Sequence, residues 1–103
     1  MPDMAKIRRE DIRWQILLTL NNARPMGTNE KIILLVVRAE YVDATQNEVR
    51  RELDYLEGRK LVKTFHKPDG HWDAEITRFG VDVVEYTVKV EPGIARPEKY
   101  FDA

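Results

Sequence analysis

The chain contains no cysteine and no serine among its 103 residues. The absence of cysteine excludes disulfides, thiolate metal sites and cysteine nucleophiles, and it fits a reducing compartment. Without serine there is no Ser-His-Asp hydrolase, and a threonine nucleophile would depend on His66 or His71 as its base. Because so few groups remain for catalysis, the sequence predicts a protein that is not an enzyme.

Long apolar runs and a strong net charge are also missing. The longest apolar run, residues 32–37, is far shorter than the roughly 20 residues that cross a bilayer, and the first residues lack the apolar segment of a secretory signal. We therefore expect a cytoplasmic protein. The formal net charge of −1 argues against a protein that coats nucleic acid through bulk positive potential, so local charge matters more.

The apolar periodicity predicts two helices in the first 40 or so residues of a single globular domain. Ile12, Ile16 and Leu20 lie four residues apart and define the buried stripe of a helix over 8–22, after an N-terminal extension over 1–7. A second helix is predicted from a cap at Thr28 or Asn29 to about residue 40. Because residues 32–37 are apolar on all sides, we expect this helix to be central and largely buried.

A third helix over 45–58 has clear signals at both ends. Thr45 can cap its first turn, and Glu48, three residues later, can complete a capping box. Apolar residues recur within it at spacings of four and three, which places them on one stripe. Gly58 can supply the left-handed conformation that follows many helix ends.

A two-stranded hairpin is predicted over 61–76. Residues 61–65 favour a strand, residues 68–70 read Pro-Asp-Gly and form a strong turn, and residues 72–76 are apolar at every second position. Residues 59–71 carry a formal charge of +3, whereas residues 73–91 carry −3. One end of the molecule could therefore face phosphate while the other faces a protein partner.

A fourth helix is predicted from a cap at Thr77 to about residue 86. Phe79, Val83 and Tyr86 follow helical spacing and would be its apolar positions. Extended chain should follow, and residues 89–103 are expected to form a tail that either wanders or docks its aromatic residues on a neighbour. Those aromatic residues are Tyr100 and Phe101.

The order of these elements resembles that of winged helix-turn-helix domains, including the MarR, ArsR and PadR-like groups. The motifs are LDYLEGRKLVK at residues 53–63, which joins the third helix to the first strand, and EITRFGVDVVEY at residues 75–86, which leaves the second. The resemblance covers about residues 8–88 and implies an α+β fold, mainly α with a small β-hairpin wing, in the order helix-helix-helix-strand-strand-helix. The segment EPGIARPEKYF is also similar to small proteins of Mu-like phages and prophages, which implies a phage-encoded origin.

By the same resemblance, residues 45–58 would be a recognition helix and residues 61–76 a wing, with double-stranded DNA as the partner. Gln and Asn pair bidentately with adenine and Arg with guanine, so Gln46, Asn47 and Arg50 are expected to read bases. Arg51 is expected to meet phosphate. The wing residues expected to follow the DNA backbone or the adjacent minor groove are Lys63, His66, Lys67 and His71.

Plainer interpretations remain open for several of these residues. Arg50 and Asp54 lie four apart and could form an ordinary exposed ion pair worth about 0.3 to 0.5 kcal/mol. His66 and His71, with Asp73 nearby, match no standard metal site, and no metal or cofactor is predicted. Both tryptophans, at positions 14 and 72, are expected to serve the core rather than to stack on bases.

Two functional classes follow from the sequence. The first is a DNA-binding transcriptional regulator, acting as a homodimer formed through the first helix and the C-terminal segment. The second is a winged helix used as a protein interaction module, in phage assembly or host takeover, without DNA binding. The near-neutral net charge and the four acidic residues of the third helix, set against two arginines, favour the second class. Those acids are Glu48, Glu52, Asp54 and Glu57.

Overall fold

A computed structural model describes residues 1–99 as an α+β fold with four helices and one three-stranded antiparallel sheet. The elements in chain order are α1 (Met4–Asn22), β1 (Thr28–Asn29), α2 (Glu30–Arg38), α3 (Gln46–Gly58), β2 (Val62–His66), β3 (Trp72–Ile76) and α4 (Arg78–Val84).

The sheet has the strand order β1-β3-β2, so β3 is its central strand. β2 and β3 form the predicted hairpin, with Val62 opposite Ile76 and His66 opposite Trp72. The prediction of only two strands was wrong, because β1 pairs with the other edge of β3. A strand of two residues is too short to show the alternation by which strands are recognised in a sequence.

The hydrophobic core lies between α1, α2, α3 and the sheet. The predicted stripe of α1 is confirmed, since Ile12, Ile16 and Leu20 are fully buried. α1 begins at Met4 with Asp3 as its cap, so the helix starts four residues earlier than expected. Trp14 is also buried and belongs to this core. No helix within residues 1–99 is long and apolar enough to span a membrane.

α2 is amphipathic and not surrounded by protein on all sides. Ile33 and Val37 are fully buried, but Leu35 is 66% exposed, and Ile32 and Val36 also lie on the solvent side. The prediction of a central, largely buried helix was therefore wrong. The apolar run in the sequence supplies both a buried stripe and an apolar outer surface.

The two ends of α3 differ in detail from the sequence prediction. Thr45 caps the helix by accepting from the backbone N–H of Glu48 at 3.1 Å, as expected. The Glu48 side chain, however, pairs with Arg8 instead of completing a capping box. The helix continues through Gly58, and the left-handed residue is Lys60, with φ of 66°.

α4 starts as predicted and ends early. Thr77 caps it by accepting from the backbone N–H of Gly80 at 3.0 Å. The helix ends at Val84, before the expected residue 86, and Tyr86 adopts a left-handed φ of 62°. Phe79 is 44% exposed, so it is not one of the buried positions that the periodicity predicted.

The chain after α4 packs back onto the domain. Ile94 is buried in the core, and the backbone N–H of Ala95 donates to the carbonyl of Glu10 at 3.1 Å. Arg13 donates to the carbonyl of Gly93 at 2.9 Å. The first part of the predicted tail thus packs within its own chain, while the aromatic residues at 100 and 101 lie outside the described residues.

Candidate functional site

α3 turns one side to solvent beside the β2–β3 hairpin. Asn47, Arg51 and Asp54 are exposed there, at spacings of four and three that place them on a single stripe. Gln46 is exposed at the start of the helix. Of the predicted site residues on α3, three are therefore accessible to a partner, and Arg50 is the exception.

Two of the four α3 carboxylates are paired with arginines of α1. Glu48 receives two bonds from the guanidinium of Arg8, both at 2.8 Å. Glu52 is fully buried and accepts a hydrogen bond from the Nε of Arg13 at 2.8 Å. These pairs fix the angle between α1 and α3, and they remove two negative charges from the outward side of α3.

A third α3 carboxylate binds the hairpin. Glu57 accepts from the backbone N–H of Thr64 at 2.9 Å and from its hydroxyl at 2.7 Å. The backbone bond is the larger cause that lowers the pKa of Glu57, so this carboxylate is ionised at neutral pH. Asp54 is the one acid of the four that has no hydrogen bond or ion pair within residues 1–99.

Arg50 points towards the hairpin, and 26% of its side chain remains exposed. Its Nε donates to one oxygen of Glu30 at 2.6 Å and its Nη2 to the other at 2.8 Å. Nη2 also donates to the carbonyl of Gly70, in the hairpin turn, at 2.7 Å. The guanidinium carbon lies 4.8 Å from the ring centroid of Trp72. The ion pair between Arg50 and Asp54 that the spacing suggested is therefore wrong, because the guanidinium is held by Glu30.

Glu30 is the centre of this cluster. Its side chain is only 1% exposed, and besides Arg50 it accepts the backbone N–H of Trp72 at 2.7 Å. The bonds from Arg50 lower the pKa of Glu30 most, and bonds from Trp72 and Gln46 lower it further against the opposing effect of burial. One carboxylate thus joins the start of α2, the start of α3 and the hairpin.

The two predicted lysines lie on one face of β2, next to acids of β3. Lys63 stands opposite Glu75 in the register. Lys67 lies just after β2, and its Nζ is 3.8 Å from a carboxylate oxygen of Asp73. Both lysines are exposed. The charge of Lys67 is thus offset by Asp73, whereas Lys63 forms no ion pair within residues 1–99. The basic character predicted for this hairpin is therefore weaker at Lys67 than the linear sequence indicates.

The two histidines occupy different environments. His66 stacks on Trp72, with 3.9 Å between ring centroids and 15° between the planes. His71 lies between two carboxylates, with Nδ1 2.5 Å from Asp69 and Nε2 3.3 Å from Asp73. The backbone N–H of His71 is the largest cause of the lowered pKa of Asp69. Within the part of the chain that the structure describes, no three His, Cys, Asp or Glu side chains are placed to hold a metal ion.

The structure brings part of the predicted set together. A hollow opens between the start of α2, the start of α3 and the hairpin turn, and Gln46, Arg50 and His71 line it. Asn47 and Arg51 lie on the outward stripe of α3, and the two lysines lie on the hairpin. The sequence analysis missed Glu30, because an acid after a helix cap is common and nothing nearby marks it as the partner of an arginine twenty residues later.

No family model matches the chain, and no curated protein does either. Among solved structures, the chain is similar to a "putative DNA-binding protein" from Ralstonia eutropha JMP134. The TM-score is 0.62 at 18% sequence identity, and the match covers 76% of this chain and 95% of the other. At this identity the likeness shows a shared fold.

Proposed function

We propose that the protein is a winged-helix DNA-binding protein that acts as a transcriptional regulator, with a binding role and no catalytic one. In this proposal α3 enters the major groove, and the β2–β3 hairpin is the wing that follows the phosphate backbone. The observation that carries it is that three α3 carboxylates are bonded to α1 or to the hairpin, which leaves a polar outward stripe with a single acid. The fold shared with a protein described as a "putative DNA-binding protein" supports the same conclusion.

The exposed residues divide by chemistry into two roles. Asn47 is in the first turn of α3, where an amide side chain can pair with adenine in the major groove. Arg51 is 64% exposed and suits a phosphate. Lys67 would exchange Asp73 for a phosphate oxygen and Lys63 would bind phosphate directly, which makes binding dependent on salt.

A selection from random duplexes, followed by anisotropy titrations at several salt concentrations, tests this proposal. Asn47→Ala should change the preferred base at one position, at a cost of about 1 to 3 kcal/mol. Arg51→Ala should weaken all sequences alike and lower the log-log salt slope by about 0.9. Lys89→Ala, an exposed cation in the C-terminal segment, is the matched control and should change neither. Failure to retain any duplex at about 50 mM salt would refute DNA binding.

We also propose that the protein is a homodimer, formed through α1 and α2. Leu18 of α1 and Ile32 and Val36 of α2 are exposed and line one groove, and Leu35, the residue before Val36, is also exposed. The groove between them is lined by uncharged residues in a chain of which 34% is charged, so it matches an uncharged partner such as its own copy. Ile94, in contrast, packs inside its own chain, so the C-terminal segment that the sequence suggested is engaged there.

Sedimentation equilibrium of the wild type and two charge variants tests the dimer. Leu35→Glu should give a monomer with unchanged circular dichroism, whereas Lys63→Glu on the hairpin should remain dimeric. The same exposed apolar surface favours the second candidate function, a protein interaction module. A wild type that is monomeric and binds no duplex would leave that module as the better conclusion.

A further inference from the structure

We propose that Arg50 is a positioning residue that holds the β2–β3 hairpin against α3 and does not itself read a base. This inference rests on the proposed DNA-binding function and changes the role that the sequence predicted for Arg50. The arginine is at the place where base-reading residues of such helices lie, but its Nε and Nη2 already donate to Glu30 and Gly70.

The geometry of the guanidinium excludes a bidentate base contact without breaking an existing bond. A bidentate contact with guanine uses two neighbouring N–H groups of the guanidinium. These groups are either on Nε and Nη2 or on Nη1 and Nη2. Nη2 donates one N–H to Glu30 and one to the carbonyl of Gly70. Among residues 1–99 only Nη1 is left without an acceptor, and its two N–H groups point in different directions, so they cannot give the bidentate pattern by themselves.

The bonds of the cluster reach the hairpin at two backbone positions. Arg50 binds the carbonyl of Gly70, and Glu30 binds the backbone N–H of Trp72. Backbone hydrogen bonds also close the turn on Lys67, because the N–H of Gly70 donates to the carbonyl of Lys67 and the N–H of Lys67 donates to that of His71, each at 2.9 Å. A shift of the turn would therefore carry Lys67 with it.

The aromatic face of the hairpin adds a third contact. Trp72 lies under the Arg50 guanidinium on one strand, and His66 stacks on it from the strand opposite. Because the guanidinium packs against the indole and is fixed by a buried carboxylate, its position is set by the protein before any partner arrives. Arg50 would then raise affinity by keeping the hairpin lysines at the distance from α3 that a DNA backbone requires.

A double-mutant cycle measured on a selected duplex tests this role. Arg50→Met should weaken all duplexes alike, leave the base preference unchanged, and lower the log-log salt slope by about 0.9 for each lost phosphate contact. Lys67→Ala should weaken binding severalfold in the wild type and less than twofold in the Arg50→Met background. Arg51→Met is the matched control. The fold-loss in affinity caused by Lys67→Ala should be the same in the Arg51→Met background as in the wild type.

A second measurement, without DNA, examines the free protein. Amide hydrogen exchange at Trp72 should accelerate at least tenfold in Arg50→Met and stay unchanged in Arg51→Met. Arg50→Lys keeps the charge but cannot bridge Glu30 and Gly70 together, so it should give an intermediate exchange rate. This variant is the control for misfolding of Arg50→Met. The positioning role would be overturned by either of two results. The first is an unchanged exchange rate at Trp72 in Arg50→Met. The second is that Arg50→Met loses the preference for one base while the effect of Lys67→Ala on affinity stays the same as in the wild type. If the wild type binds no duplex, the proposed function fails, and the exchange rates alone decide whether Arg50 holds the hairpin.

Discussion

Replacing Arg50 by methionine should be more costly to stability than replacing its partner Glu30 by glutamine, although both changes remove the same ion pair. Methionine fills much of the space of the arginine stem but leaves Glu30 as a buried carboxylate whose remaining bonds come from Trp72 and Gln46. Glutamine at position 30 can still accept the Trp72 N–H. The charge that Glu30→Gln leaves without a partner is the one on Arg50, whose side chain is 26% exposed and can reach water.

The expected magnitudes follow from this asymmetry. Removing one partner of a buried pair costs about 3 to 5 kcal/mol, because an uncompensated charge stays in the interior. Water can enter the space beside Glu30 once the partly exposed guanidinium is gone, so we expect about 2 to 3 kcal/mol for Arg50→Met. Glu30→Gln should cost about 1 kcal/mol, which is the scale of one lost hydrogen bond. The double variant should be more stable than Arg50→Met alone.

The pH dependence has a definite sign. Arg50 holds the pKa of Glu30 below its ordinary value of 4.5, so the pair stabilises the wild type above that pH and is lost as the pH falls through the lowered pKa. In Arg50→Met, burial without a cation raises the pKa of Glu30, and protonation relieves the penalty. The difference in unfolding free energy between wild type and variant should therefore shrink between pH 7 and pH 4.

Urea unfolding followed by tryptophan fluorescence at both pH values measures these differences. Other carboxylates with lowered pKa, such as Asp69 and Glu57, destabilise both proteins alike in acid and cancel in the comparison. Equal costs for the two single variants, or a difference that does not change with pH, would show that Glu30 is not held as a buried anion by Arg50.

Two further predictions concern other parts of the domain. The carboxylate of Asp11 raises the pKa of Glu40, so Glu40→Gln should raise the unfolding temperature at pH 7. This gain should shrink as the pH falls through the raised pKa and Glu40 becomes protonated, and an unchanged gain in acid would contradict the prediction. Gly80→Ala should lower stability by more than about 1 kcal/mol, because a Cβ at Gly80 would lie 2.2 Å from the carbonyl oxygen of Leu61. A Cβ at Gly58 meets no atom of residues 1–99 within 4 Å, so Gly58→Ala should be neutral or stabilising in the same denaturation assay.

The sequence was sufficient for the elements whose stability comes from local periodicity. The buried stripe of α1, the cap at Thr45 and the strong turn at Gly70 depend on residues a few positions apart, and all three are present. The error in α2 has the same origin. A run of six apolar residues satisfies every helical face, so it cannot show that only Ile33 and Val37 are fully buried, while Leu35 faces solvent.

The contacts that define the candidate site are distant in sequence and were not predictable in the same way. Arg50 had an acid four residues away on its own helix, which is the standard local partner, yet it binds one that lies twenty residues earlier. Spacing along a helix gives no information on which charged groups of other elements are near, and burial of Glu30 makes the distant pair the better one. The role of an arginine therefore depends on the tertiary contacts around it.

The same reasoning changes the weight of the acids on α3. Four carboxylates on a helix proposed to meet DNA count against binding only if their charge reaches the partner. Glu48 and Glu52 are neutralised by arginines of α1, and Glu57 is bonded to the hairpin, so they act as structural links between elements. Asp54 is the exception, on the outward stripe with Asn47 and Arg51. Asp54→Asn should therefore strengthen duplex binding at low salt more than Glu57→Gln does, because only the first removes a charge that would face phosphate.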